Sequence, residues 1–155
     1  GTETKPMTTT GPRLDHRPHA PAALRALIAY DHAAHQNLDP ILLELVKTRV
    51  SQINGCAFCV DMHTRDARKL GETEQRLYTL SVWHETQLFT PRERAALAWA
   101  EALTRLPDGV SDELLAATRA EFSDPELVQL THAIIAINSW NRLGVAFRPA
   151  IEPRP

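Results

Sequence analysis

An Asn54-Gly55 pair separates two runs of helical periodicity, and no other feature of the chain restricts its fold as much. Before it, Ile41, Leu42, Leu45, Val46, Val50 and Ile53 recur at helical spacing behind Asp39-Pro40, an N-cap followed by a proline suited to a first turn. After it, a second run covers residues 56–70 and stops at Gly71, a residue that suits the position just past a helix end. Two helices joined this closely form a hairpin. The turn brings together both cysteines of the chain, Cys56 and Cys59, with His63 one helical turn beyond the second. If Asn-Gly ends one helix and Cys56 opens the next, both thiols lie in a first turn, where free N–H groups and the helix dipole favour an anion. Such a setting lowers a thiol pKa.

The remaining periodicity is helical as well. Residues 21–36, 73–83, 91–106, 112–122 and 127–147 all read as helices, and no stretch alternates in the manner of a strand. Thr90-Pro91-Arg92-Glu93 is a capping box, Ser111-Asp112-Glu113 caps the next helix, and Asp124-Pro125-Glu126 opens the last. The expected fold is all-α. The last helix is apolar on most sides, as a central core helix or a partial subunit interface would be. Residues 1–21, with four prolines and a threonine run, read as a flexible or strapped-down arm, and Met7 as the natural start, with Gly1 to Pro6 a non-native addition. Residues 22–150 then make one helical domain.

Composition narrows the function. The chain has 155 residues, 43% of them hydrophobic, enough for one core without disulfide staples. A net charge of -2 argues against a nucleic-acid partner held by phosphate contacts. No apolar run approaches the roughly 20 residues of a membrane span, and the N-terminus lacks signal-peptide order. A cytoplasmic protein is expected, in a reducing compartment where a Cys-x-x-Cys pair points to redox or metal chemistry.

At about 100° per residue, Cys56, Cys59, Val60, His63, Ala67 and Leu70 share one stripe of the cysteine helix, opposite Asp61, Arg65, Arg68 and Lys69. Cysteines at i and i+3 lie about 5 to 6 Å apart at Cα, within reach of a disulfide. Cys59 and His63 form an i, i+4 pair, so the imidazole can take the proton of the second thiol. Across the hairpin, Glu44 stands level with His63 to Arg65 and could hold the far nitrogen of His63, completing an acid, base and nucleophile series. Alternatively Glu44, on the polar side of its own helix near Lys47 and Thr48, makes an exposed pair with Lys47 of little energetic weight.

These residues resemble the AhpD-like alkylhydroperoxidases, grouped with the carboxymuconolactone decarboxylases. Their signature is a Glu, eleven intervening residues, Cys-x-x-Cys, and a His four residues after the second cysteine, the spacing of Glu44, Cys56, Cys59 and His63 here. The segment Ser51 to His63 looks like the family's core, and Ala136 to Arg142 like the last helix of one of its branches. The resemblance implies an all-helical fold, assembly as homo-oligomeric trimers or hexamers, and thiol-dependent reduction of hydroperoxides by a dithiol or thioredoxin-like reductant. It further implies that Cys59 attacks the peroxide, Cys56 closes the disulfide, and Glu44 and His63 relay protons, with no resident cofactor. Phe58 departs from the best-studied members, which carry a relay histidine between the cysteines. The decarboxylase branch lacks the cysteine pair, which favours the peroxidase reading.

Rival readings remain. Cys56, Cys59, His63 and Glu44 could supply four zinc ligands, although the chain holds no second Cys-x-x-Cys or Cys-x-x-His. A redox sensor that turns over poorly is another. Trp83, Trp99 and Trp140 read as core anchors, His32, His35, His84 and His132 as solvated or capping groups, and Tyr78 as a possible pocket residue. Asn138, Asn141 and Arg142 interrupt an apolar helix and are expected to bond to another helix or subunit.

Overall fold

The computed structural model describes residues 10–155; Met7 and the rest of residues 1–9 of the expected arm lie outside them. Seven α-helices follow in order: α1 Pro21–Ala34, α2 Pro40–Asn54, α3 Ala57–Lys69, α4 Glu74–Thr79, α5 Pro91–Thr104, α6 Asp112–Arg119 and α7 Asp124–Phe147. Among the described residues there is no strand, and no helix is long and apolar enough to cross a membrane. The all-α expectation holds.

The helix boundaries follow from local chemistry. Asp39 caps α2, its carboxylate accepting the Ile41 N–H at 3.3 Å, with Pro40 at the first helical position. Gly55 ends α2 at φ +70°, a left-handed conformation that glycine adopts without strain. Cys56 then turns the chain and caps α3, its sulfur accepting the Cys59 N–H at 3.3 Å. Capping boxes open α5 at Thr90 and α7 at Ser123.

Two expected helices end more than two residues early. The helix expected over 73–83 stops at Thr79 and continues as a 3-10 segment, Leu80–Glu85, with Val82 outside helical geometry. The kink lets Trp83 turn into the core and donate its indole N–H to Glu101 Oε1 at 2.8 Å. The helix expected over 112–122 stops at Arg119, which frees Phe122 to pack in the core.

The α2/α3 hairpin is the centre of the molecule, with α5 and α7 against α2 and α7 also against α3. Leu42, Val46 and Val50 of α2 meet Leu130, Ile134 and Ile137 of α7 in one buried cluster. Each such side chain contributes about 1.5 to 3 kcal/mol when fully buried. Because helices cover α2 on several sides, Glu44, Lys47, Thr48, Arg49 and Ser51 are buried with the apolar residues. That corrects the placement of Glu44, Lys47 and Thr48 on a solvated side. Partners offset the cost of burying the others, while the Thr48 hydroxyl has no hydrogen-bond partner among the described residues: Arg49 donates to Glu101 at 2.9 Å, and Ser51 to the Lys47 carbonyl at 2.7 Å.

An amide network ties the hairpin turn to α7. Asn54 Nδ2 donates to Asn138 Oδ1 at 2.9 Å and to Asn141 Oδ1 at 3.0 Å, and Asn141 Nδ2 donates to Ser51 Oγ at 2.9 Å. Asn138 and Asn141 thus bond to another helix, as expected. Arg142 reaches no other helix of this chain among the described residues; it is exposed and donates to the carbonyl of Asn138 in its own helix.

Candidate active site

The cysteines emerge where the helix end delivers them. Cys56 and Cys59 are joined as a disulfide with a Cα separation of 5.3 Å, and both are buried. Of the stripe expected to face inward, Cys56, Cys59, His63 and Ala67 do so, whereas Leu70, beyond the end of α3, is exposed.

Gly144 of α7 lies directly over this pair. A β-carbon there would fall 2.5 Å from Cys56 Sγ and 3.3 Å from Cys59 Sγ. Only a residue without a side chain lets the two elements approach this closely. Sequence reasoning missed Gly144, although a glycine inside an apolar helix signals such an approach.

His63 and Glu44 meet across the hairpin. The ionised carboxylate can only accept, so His63 Nδ1–H donates to Glu44 Oε2, at 3.0 Å. This fixes the tautomer and leaves Nε2 as the nitrogen able to take a proton. Glu44 Oε1 receives Lys47 Nζ at 2.7 Å. Both sequence alternatives for Glu44 are therefore realised together, but the Lys47 pair is buried rather than exposed. Burial alone would raise the carboxyl pKa; the His63 hydrogen bond and the Lys47 charge outweigh it and hold Glu44 below its ordinary 4.5.

A folded-state value below the unfolded one stabilises the fold above about pH 4.5 and is lost as pH falls through the lower, folded value. The urea midpoint of the wild type should therefore drop as pH falls below about 4.5, and that of Glu44→Gln should drop less. Parallel midpoint curves for the two proteins would contradict this.

Beside these groups opens a cavity of about 830 Å3. Cys59, His63, Lys47, Phe58 and Met62 line it, and Cys56 does not. Its far wall is α1 and α7, through Leu24, Ile28, Ile137 and Trp140, with Gly144 also on the wall. Trp140, expected as a core anchor, is half-buried on this wall and donates to Asp31 Oδ1 at 3.1 Å. The fourth side is the strap from Pro12 to Arg17, pinned where the Arg13 N–H donates to the Phe147 carbonyl at 3.1 Å. Tyr78, entertained as a pocket residue, is 74% exposed and lies elsewhere.

The metal reading changes its ligands. In this oxidised pair the sulfurs are bonded to each other and are not thiolate donors. A different trio, Glu44, His63 and Asp66, brings one possible ligand atom each to within 4.8 Å of the others. Lys47 already occupies Glu44 Oε1, and a cation beside an ammonium is electrostatically disfavoured.

Residues 18–102 carry the sequence pattern of the carboxymuconolactone decarboxylase family. The chain belongs to that family. Within it the chain is AhpD-like: it is 43% identical over 136 residues to YdfG, an uncharacterized protein of Bacillus subtilis (strain 168), covering 86% of this chain and 92% of that one. It is also similar to an Agrobacterium tumefaciens protein of unknown function, described as a candidate antioxidant defence protein AhpD. That structure is 40% identical, with a TM-score of 0.90 over 93% of this chain and 100% of the other. The debrominase Bmp8, 20% identical with a TM-score of 0.73 over 88% of this chain and 73% of its own, shares the fold. The carboxymuconolactone decarboxylase family match and the helical architecture agree with the fold expected from the Glu44, Cys56, Cys59 and His63 spacing.

Proposed function

We propose that this AhpD-like protein is a thiol-dependent peroxidase that reduces organic hydroperoxides at the expense of a dithiol or thioredoxin-like reductant. The observation that carries the reading is the asymmetry of the pair: Cys59 lines the cavity with His63, while Cys56 stands behind it within bonding distance.

In the reduced protein, His63 Nε2 takes the proton of Cys59, with Glu44 holding the opposite nitrogen. The thiolate attacks the distal oxygen of ROOH, the S–O bond forms as the O–O bond breaks, and the departing alkoxide takes the proton from His63 to leave as ROH. Cys59 is then a sulfenic acid. The Cys56 thiol condenses with it, expelling water and forming the disulfide seen here. A dithiol reductant restores both thiols by exchange and leaves oxidised. No resident cofactor or metal enters the cycle.

Apolar residues Val128, Ile135 and Val145 remain exposed along α7, which supports assembly as a homo-oligomer. The test of the activity is consumption of cumene hydroperoxide and tert-butyl hydroperoxide with a panel of dithiols, followed as alcohol formed. Alcohol production that needs both protein and dithiol is expected; its absence with every pair would overturn the reading, and disulfide formation without turnover would identify a sensor instead.

A further inference from the structure

Lys47 is a buried cation of the cavity wall that the thiol and imidazole do not account for. Its side chain is 10% exposed, lines the cavity together with Cys59 and His63, and reaches Glu44 at 2.7 Å. Burying an ammonium is costly even when paired, and an apolar residue of similar volume would commonly be as stable or more so. The charge therefore calls for a use.

Cys59 supplies one. It is 3% exposed and shares its cavity with Phe58, Met62, Ile137 and Leu143, apolar side chains that offer a thiolate no hydrogen bonds. The Glu44 carboxylate, hydrogen-bonded to His63 on the same cavity, adds a negative charge that opposes a thiolate further. With the Cys59 proton on His63, the carboxylate, thiolate and imidazolium carry one net negative charge in this enclosed site, and Lys47 brings the group to neutrality.

We propose that Lys47 is a further member of this site, whose ammonium offsets the Glu44 carboxylate so that Cys59 can ionise within the cavity. The proposal rests on the reading of Cys59 as the reacting thiol. Other charges face the same space without replacing Lys47. From α3, Asp66 adds a partly buried carboxylate near Glu44 and His63. From α1, Asp31 accepts the Trp140 indole N–H. On the strap, Asp15 and Arg17 bind one another at 2.8 Å and, like Arg13, are exposed, so solvent screens them; His16 and Arg148, after α7, are half-buried on the wall.

The experiment measures the titration of Cys59 directly, whether or not hydroperoxide is the substrate. In a Cys56→Ser background Cys59 is the only thiol, and its alkylation rate by iodoacetamide is followed against pH for Lys47 and for Lys47→Met, Lys47→Gln and Lys47→Arg. Removing a nearby positive charge raises the proton affinity of every acid around it, whatever the coupling between Cys59 and His63. Lys47→Met and Lys47→Gln should each raise the apparent thiol pKa by about one unit, a roughly tenfold smaller thiolate fraction at a fixed pH below it. Lys47→Arg, which keeps the charge, should stay near the parent. Gln retains a donor for Glu44 and guards against misfolding of the Met variant, with circular dichroism as the check. A folded Met or Gln variant that titrates with the parent would overturn the proposal, as would an Arg variant shifted as far as Met. Failure of the peroxidase reading would instead appear as normal titration with no oxidation by hydroperoxide.

Discussion

Cys59→Ser is expected to lose dithiol-driven hydroperoxide turnover by at least about 1,000-fold, because a serine hydroxyl stays protonated beside His63 and no other thiol lines the cavity. Cys56→Ser should behave differently. It lacks the sulfur that closes the disulfide but leaves the cavity wall intact, so it should consume one equivalent of hydroperoxide and stop at a sulfenic acid on Cys59. A sulfenic-acid trap with mass spectrometry distinguishes the two variants. Labelling of Cys56 in the Cys59→Ser protein, with turnover retained, would reverse the assignment of the two thiols.

Gly144→Ala should have the second largest effect. The added methyl would lie 2.5 Å from Cys56 Sγ, so either α7 or the disulfide must move. The Asn54, Asn138 and Asn141 network holds α7 against the hairpin turn, one helical turn before Gly144, and resists such a shift. Overpacking of this kind costs about 1 to 3 kcal/mol. The penalty should fall mainly on the oxidised protein, since two free thiols can rotate away and a bonded pair cannot. The expected result is a larger drop in Tm for the oxidised than for the reduced form, and a reduction potential raised by about 30 mV for each 1.4 kcal/mol of that difference. Equal drops in the two forms would show that Gly144 serves helix packing alone.

Much of this arrangement is legible in the residues themselves. The Asn54-Gly55 break, the Asp39-Pro40 start and the capping boxes act locally, so the hairpin and most helix limits follow from sequence. The i, i+4 relation of Cys59 and His63 is likewise local, and the level of Glu44 follows from counting back across a tight turn. What the sequence conceals is long-range. Thr79 ends a helix early because Trp83 finds Glu101, and no neighbour of Thr79 in the chain announces that. Glu44 and Lys47 look solvated on a helical wheel because a wheel carries no information about the helices that cover it. Gly144 is silent until α7 is seen resting on the disulfide. Trp140 has the composition of a core residue and the position of a wall residue, a distinction that only the cavity makes.

The most direct test of the account is a single-turnover titration. The protein is reduced, freed of reductant, and mixed with one equivalent of cumene hydroperoxide, and free thiols and cumyl alcohol are counted together. The expected result is loss of two thiols for each alcohol formed, with the Cys56–Cys59 disulfide as the sole protein product. Alcohol without thiol loss, or thiols that survive the peroxide, would contradict it.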